Sequence, residues 1–174
     1  YELEKKRGIT IFSKQARLAW DDMDVTLLDT PGHVDFSAEM ERVLQVLDYA
    51  VLLISGADGV QGHTRTLWNL LARYQVPTFI FINKMDQDGT DRQDRLTELK
   101  RKLSGECVDF TEAGEEFLEE LSMCDETVME SYLENGEITA SQIQTLIRER
   151  KVFPCYFGSA LKLEGVQELL DGLG

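Results

Sequence analysis

The sequence is poor in cysteine and in basic residues, and it has no long apolar run. Its three cysteines, Cys107, Cys124 and Cys155, are scattered through 174 residues and form no Cys-x-x-Cys pair. This odd set argues against a disulfide framework or a zinc site and predicts a protein of the reducing cytoplasm, with thiols that are buried or partly buried. No apolar segment approaches the roughly 20 residues that a transmembrane helix needs, so a membrane protein is not expected.

The shortage of basic residues sets the charge of the chain. There are 32 acidic against 18 basic residues, which gives a formal net charge of −14 at pH 7. A surface this acidic repels phosphate backbones, so we do not expect a broad nucleic-acid-binding face. A local contact with a polyanion stays open, because salt screens exposed charges beyond about 10 Å.

Apolar runs alternate with helical periodicities along the chain. An opening hairpin is predicted at 9–20 and 25–28, and a continuous apolar strand, typical of a strand covered by helices on both faces, is predicted at 49–55. Between about 104 and 150 the chain is acidic and largely helical. The remaining apolar patterns predict strands at 76–82 and 152–157 and helices at 36–47, 64–74, 91–103 and 166–173.

This alternation predicts an α/β domain with a mainly parallel sheet flanked by helices. Ligands of such sheets bind beyond the carboxyl ends of the strands. Three predicted strands end in polar sequences at that position, which are DTPGH at 29–33, NKMD at 83–86 and GSAL at 158–161.

The first polar sequence suits phosphate and metal chemistry. The carboxylate of Asp29 can hold a magnesium ion, usually through water. Gly32 allows a backbone N–H to approach a terminal phosphate with no side chain in the way. Loss of that phosphate would release the following helix as a switch.

The other two sequences suit recognition of a guanine base. The carboxylate of Asp86 can accept both N–H groups on the N1/N2 edge of guanine, and Asn83 adds an amide. Lys84 can lay its stem over a base or tie loops together, and the tight turn at Ser159 and Ala160 has a backbone N–H that can meet the guanine O6. Each motif alone is common in ordinary turns, but three such endings in one chain favour a nucleotide site.

These motifs, together with RGIT at 7–10, resemble the GTP-binding motifs of translational GTPases. The longer stretches DTPGHVDF, DGVQ and FINKMDQDGTD are similar to the elongation factor G group and, within it, to the tetracycline-resistance ribosomal protection proteins. The resemblance covers almost the whole chain. It implies a P-loop NTPase-like, Ras-like GTP-binding domain at 1–174, with the acidic segment at about 104–150 as the helical insert of that group.

The resemblance also implies an enzyme that binds GTP or GDP with Mg²⁺, associates with the ribosome and hydrolyses GTP. Thr10 resembles the first-switch threonine that binds magnesium and the terminal phosphate, and Ile9 resembles one side of an apolar gate near the attacking water. Asp29 and Gly32 take the metal and phosphate roles given above. His33 resembles the histidine that orients the water once large-subunit RNA engages it.

The phosphate-binding loop of the family is missing, because no Gly-Lys-Ser or Gly-Lys-Thr occurs. The resemblance implies that the first strand, this loop and the first helix are absent, so we expect weak nucleotide binding and no activity from this chain alone. Because the absent strand lies inside the family's sheet, we also expect the isolated chain to dimerise, exchange strands or rearrange its hairpin.

Two other functions stay open. One is a truncated or pseudo-GTPase that acts as a non-catalytic binding module, and the other is a different GTPase on the same fold, such as a release-factor or membrane-associated member. Three further residues have simpler interpretations. His63 is expected at the exposed start of a helix, and Trp20 and Trp68 are expected to pack rather than to stack on a ligand.

Overall fold

The computed structural model describes residues 14–20, 23–30 and 37–174. These residues form two compact units, one from the described residues up to Leu47 together with Leu173 and Gly174, and one from Asp48 to Gly172. Within the described part of the chain, no helix combines the length and the hydropathy needed to cross a membrane.

The first unit contains the predicted hairpin. Strand β1 (Lys14–Trp20) pairs antiparallel with β2 (Met23–Asp29), so that Lys14 lies opposite Asp29 and Trp20 lies opposite Met23. The turn predicted at positions 21 and 22 lies outside the described residues. Helix α1 (Ser37–Leu44) follows, with three buried apolar side chains at helical spacing, Met40, Val43 and Leu44.

The second unit is an α/β layer structure around a four-stranded parallel sheet with the order β3-β4-β6-β5. This confirms the predicted fold class. Its elements are, in chain order, β3 (Ala50–Ser55), α2 (Gly62–Arg73), β4 (Thr78–Asn83), α3 (Arg92–Lys102), β5 (Cys107–Asp109), α4 (Glu115–Ser122), α5 (Glu126–Asn135), α6 (Ala140–Arg148), β6 (Phe153–Phe157) and α7 (Val166–Leu173).

Helices α4, α5 and α6 confirm that 104–150 is largely helical, and strand β5 is an element of this segment that the sequence did not predict. Cys107, Val108 and Asp109 form a short strand parallel to β6, and Cys107 and Val108 are buried. Three residues are too few to display the alternation by which a strand is identified. The segment is held in the sheet by tertiary pairing, so only its position beside β6 makes it a strand.

The two central strands are buried on both faces, but β3 is not. Every residue of β4 from Thr78 to Ile82 is buried, whereas side chains alternate along β3 between buried and exposed. Val51 and Leu53 are 37% and 64% exposed. The prediction that helices cover both faces of 49–55 is therefore wrong for this strand, which is an edge strand of the sheet that the described residues form.

The core on one face of the sheet forms where α2 and α3 pack on the strands. Trp68 of α2 is buried in this core and meets Phe153 of β6 edge to face, with ring centroids 4.6 Å apart. The packing role expected for Trp68 is thereby confirmed. The other members of this cluster are Leu52, Ile54, Val60, Ile80, Ile82, Leu96, Leu99, Cys107 and Cys155.

Side-chain caps fix where the helices begin. Asp91 and Asp125 precede α3 and α5 and accept hydrogen bonds from backbone N–H groups of the first turn. Thr139 and Gln142 form the predicted capping box at the start of α6. These local signals, read with the apolar spacing, explain why helix positions were predictable.

Candidate functional site

The carboxyl ends of β4 and β6 lie side by side and carry two of the three polar sequences. Ile82 is paired with Phe157, so the residues that follow each strand meet. The N–H of Gly158 donates to the carbonyl of Ile82 at 3.0 Å, and the N–H of Met85 donates to the carbonyl of Gly158 at 3.0 Å. The parallel sheet thus joins the NKMD and GSAL sequences into one site.

Asn83 is the centre of this site. Its Oδ1 accepts the backbone N–H of Lys84 at 2.8 Å and that of Ala160 at 2.9 Å. Two N–H donors on this atom identify it as the amide oxygen, so the group that Asn83 can offer to a ligand is its NH₂ donor. Lys84 has a φ of 65° and is exposed, and this left-handed turn ends the strand.

Asp86 lies at the surface of the same site and is held by two donors. The hydroxyl of Ser159 lies near enough to its carboxylate to act on its pKa as a hydrogen-bond donor, and Nζ of Lys162 is 3.3 Å from Oδ2. The hydroxyl of Ser159 is the larger cause that lowers the pKa of Asp86, Lys162 adds to it, and partial burial acts in the opposite direction. The carboxylate is therefore ionised at neutral pH and can accept hydrogen bonds from a base.

The turn that carries Ala160 is closed by backbone pairing. Ser159 and Glu164 exchange two N–H···O bonds of 3.0 and 3.1 Å. A Cβ at Gly158 would lie 2.0 Å from the carbonyl oxygen of Glu164, and one at Gly165 would lie 2.3 Å from that of Phe157. Glycine is required at both positions because the two backbone segments approach this closely.

The loop after β3 is tied to the same site. The N–H of Gly56 donates to the carbonyl of Asn83 at 2.7 Å, and at its other end the N–H of Val60 donates to Oε1 of Glu98 at 3.3 Å. Glu98 of α3 also pairs with Lys102 at 2.5 Å. The loop that leads into α2 is therefore fixed both by the end of β4 at Asn83 and by Glu98 of α3.

Four of the predicted site residues belong to the other end of the chain. Asp29 is the last residue of β2, is exposed and lies opposite Lys14. Thr10, Gly32 and His33 lie outside the described residues. Asp29 belongs to the first unit, whereas the NKMD and GSAL residues belong to the second. Among the residues that the structure describes, no group of three acidic, histidine or cysteine side chains converges on a metal position.

The residues set aside by the sequence analysis behave as expected. His63 is exposed in the first turn of α2. Cys107 and Cys155 are buried and Cys124 is half-buried, and all three are free thiols. Burial raises the pKa of Cys124 to about 11, with the acidic neighbours Glu106 and Glu120 adding to it. Burial also raises the pKa of Cys155, so neither Cys124 nor Cys155 has the low pKa of a nucleophile.

Sequence reasoning missed three residues of this site: Leu161, Lys162 and Glu98. Leu161 is 93% exposed in the turn beside Ala160, an unusual exposure for a large apolar side chain. Its position after Ser-Ala was a usable signal. The sequence contains no signal for Lys162 or Glu98, because surface lysines and helix glutamates are common. Their partners, Asp86 and Val60, are 76 and 38 positions away.

The comparisons with known proteins identify the family of the chain. The family model of the elongation factor Tu GTP binding domain matches residues 1–173. The tetracycline resistance protein TetP of Clostridium perfringens is 35% identical over 99% of this chain and 30% of its own length. The tetracycline resistance protein TetO of Streptococcus mutans is 36% identical over 97% of this chain and 29% of its own length.

A solved structure supports the fold. The crystal structure of a protein from Thermus thermophilus superimposes with a TM-score of 0.84 over 98% of this chain and 32% of that protein, at 24% sequence identity. The chain spans about 30% of the length of the curated relatives that it matches. With the family model matching almost every residue, the chain belongs to the elongation factor Tu GTP binding domain family.

Proposed function

We propose that this chain is the guanine-nucleotide-binding part of a ribosome-associated translational GTPase, which hydrolyses GTP to GDP and phosphate. The observation that carries the proposal is the union of Asn83 and Asp86 with Ser159 and Ala160 at the ends of two adjacent parallel strands. A solvated turn would not need both an ionised carboxylate and an amide whose oxygen is fixed by two backbone donors. The family membership supports the same proposal.

In this proposal the base is read edge-on. The carboxylate of Asp86 accepts the N1 and N2 protons of guanine, and the NH₂ of Asn83 donates to an acceptor such as N7. The N–H of Ala160 is shared between Oδ1 of Asn83 and the guanine O6, a three-centre geometry that N–H groups tolerate. The exposed stems of Lys84 and Leu161 are available to cover the faces of the base.

The phosphate side of the proposal rests on the family resemblance of DTPGH and RGIT. When bound, a magnesium ion would neutralise charge on the phosphates, with Thr10 and, through water, Asp29 as its ligands from this chain. His33 orients the attacking water, and Gly32 offers its N–H to the terminal phosphate. Departure of that phosphate frees Thr10 and Gly32, and the switch segments relax.

The biological setting is proposed from the relatives. TetP and TetO are named as tetracycline resistance proteins, and we propose that the gene product acts in the cytoplasm at the ribosomal GTPase-activating centre, as a ribosomal protection protein or an elongation factor G-like factor. We also propose that residues 1–174 are a partial GTP-binding domain with an acidic insert at about 104–150, which contains α4, α5 and α6. A truncated or pseudo-GTPase remains the alternative.

Calorimetric titration with GDP and GTP in the presence of magnesium tests the proposal. The titration is made on this chain and on a version extended at its N-terminus by a Gly-x-x-x-x-Gly-Lys-Ser/Thr loop and its flanking elements. We expect the extended version to bind and this chain to bind weakly or not at all. Tight binding by this chain alone would reveal a phosphate site other than the one proposed, and no binding by either version would contradict a nucleotide site.

Enzymatic turnover separates the GTPase from the pseudo-GTPase. In the complete gene product, we expect His33→Ala to reduce ribosome-stimulated GTP hydrolysis by at least about tenfold, within the range for a lost general base or water-positioning group. GTP affinity should stay nearly unchanged, because His33 is proposed to touch water and not nucleotide. His63→Ala is the matched control. Unchanged turnover in His33→Ala would remove this residue from the mechanism.

A further inference from the structure

We propose that Lys162 is a positioning residue for guanine recognition, which acts by holding the carboxylate of Asp86 in the orientation that reads the base. This inference rests on the proposed function, because it concerns the same base site. It adds a residue that neither the NKMD sequence nor the Ser-Ala pair contains.

The backbone of Lys162 is fixed by the turn that follows β6. Its N–H donates to the carbonyl of Ser159 at 3.1 Å, and the N–H of Leu163 donates to the carbonyl of Ala160 at 3.3 Å. Leu163 adopts a φ of 60°, and the Ser159–Glu164 pair closes the turn. The side chain of Lys162 therefore starts from a defined point beside Ala160, and its Nζ lies 3.3 Å from Oδ2 of Asp86.

Two donors from one turn hold the carboxylate from the protein side. Ser159 is buried, at 2% exposure, and its hydroxyl acts on the carboxylate as a donor, while Nζ of Lys162 lies 3.3 Å from Oδ2. A carboxylate has about four lone-pair positions, so Ser159 and Lys162 leave positions for the two N–H groups of guanine. The pair thus fixes the plane of the carboxylate without blocking its use.

Stability alone does not account for this ion pair. The side chain of Lys162 is 52% exposed, and ion pairs of such exposure contribute little to folding. A role in orienting Asp86 does account for it. Guanine needs both carboxylate oxygens at once, so its affinity increases when the plane of the carboxylate is fixed before the base binds. The alternative is that the positive charge of Lys162 acts on nucleotide affinity by interacting with the phosphates. That effect would not require Asp86.

A double-mutant cycle in the complete gene product separates these effects. Lys162→Met should weaken GDP binding by about 3- to 10-fold and reduce the preference for GDP over IDP, which lacks the 2-amino group. Lys162→Arg should retain GDP affinity within about twofold. Lys151→Met is the matched control, because Lys151 is also an exposed ion-paired lysine, bound to Asp125 and Glu149. Its loss should leave GDP affinity unchanged within about twofold.

The cycle is closed in an Asp86→Asn background with XDP as the ligand. There Lys162→Met should change affinity by less than about twofold, because the carboxylate on which Lys162 acts is gone. An equal loss in both backgrounds would mean that Lys162 attracts the phosphates and does not orient Asp86. No effect of Lys162→Met on GDP affinity or selectivity in the wild-type background would also overturn the inference.

A measurement without nucleotide keeps the inference separate from the proposed function. Carboxyl ¹³C NMR of this chain gives the pKa of Asp86 directly. Lys162→Met should raise that pKa, since it removes a donor and a positive charge, whereas Lys151→Met should not. An unchanged pKa overturns the coupling between Lys162 and Asp86. If the coupling is present but wild-type protein shows no preference for GDP over XDP, the proposed function fails and the coupling stands.

Discussion

Asn83 and Ala160, which are 77 positions apart in the sequence, are joined by a hydrogen bond of 2.9 Å from the backbone N–H of Ala160 to Oδ1 of Asn83. The same oxygen accepts the N–H of the next residue, Lys84, at 2.8 Å. The ends of β4 and β6 are therefore structurally coupled. A substitution that shifts the turn after β6 should also shift the side chains of Asn83 and Asp86 in the turn after β4.

The first prediction concerns the glycine that permits this turn. Gly158→Ala should lower the free energy of unfolding by about 2 kcal/mol or more, because its Cβ would overlap the carbonyl oxygen of Glu164 at 2.0 Å. Urea denaturation measures the change. Gly62→Ala is the matched control, since Gly62 is helical and has open space around it. The unfolding free energy of this variant should equal or slightly exceed that of the wild type. Equal stability of the two variants would contradict the close approach.

The second prediction concerns Arg150, which closes the end of the sheet opposite the site. Its Nη1 donates to the carbonyl of Val76 and, at 3.0 Å, to Oγ1 of Thr78. Its guanidinium lies 5.4 Å from the ring centroid of Trp68 and 5.0 Å from that of Phe153. Arg150→Met should cost about 2–3 kcal/mol of unfolding free energy, because hydrogen bonds from a charged donor and cation–π contacts are lost.

Arg148→Met is the control for Arg150, because Arg148 is an exposed arginine in the last turn of α6. Its unfolding free energy should change by no more than about 0.5 kcal/mol. Guanidinium chloride curves for the two variants make the comparison. A cost for Arg148→Met as large as that for Arg150→Met would show that net charge, and not the contacts of Arg150, sets the stability.

The third prediction uses the pKa of Cys124, which burial and acidic neighbours raise to about 11. Because the thiolate is the reactive form, alkylation by iodoacetamide should be about a hundredfold slower at pH 8 than for an unperturbed cysteine. The rate should rise about tenfold per pH unit until the pH approaches about 11. Mass spectrometry follows the labelling, and Cys124→Ser should abolish it in the folded chain. A plateau near pH 9 would contradict the raised pKa.

Most strands and helices of the second unit were predictable because their signals are local. Asp91, Asp125 and the Thr139–Gln142 pair mark helix starts in the sequence itself. Strand β5 was not predictable, since three residues show no period and only the neighbour β6 makes them a strand. The exposure of Val51 and Leu53 was missed for a similar reason, because an apolar run does not reveal whether its strand lies inside a sheet or at its edge.

The candidate site divides in the same way. Asn83, Asp86, Ser159 and Ala160 were predicted from motif and strand position, and the structure brings them together. The sequence did not indicate Lys162 and Glu98, because their roles depend on partners that are distant in the sequence. The roles of Thr10, Gly32 and His33 stay predictions, since these residues lie outside the described part of the chain.

The fourth prediction concerns the edge of β3. Val51 and Leu53 of β3 are exposed, β3 is an edge strand of the described sheet, and unprotected edges promote pairing between chains. If the isolated chain dimerises, which is one of the three expected outcomes, we predict that it uses this edge and that Leu53→Lys shifts it toward monomer. Light scattering coupled to gel filtration measures the mass, with Leu133→Lys on exposed helix α5 as control. A monomer before any substitution would exclude dimerisation through this edge and leave rearrangement of the hairpin as the expected outcome.

The central claim is that Asp86 selects guanine through its carboxylate. In the complete gene product, Asp86→Asn should weaken GDP binding by about 10- to 100-fold, corresponding to the loss of charge-assisted hydrogen bonds to N1 and N2. XDP should then bind more tightly than GDP, because the Asn amide can donate to the O2 of xanthine. Competition titration of GDP against XDP for wild type and Asp86→Asn is the most direct measurement. A reversed preference is the predicted result, and an unchanged preference for GDP would contradict the assignment of Asp86 as the base-reading residue.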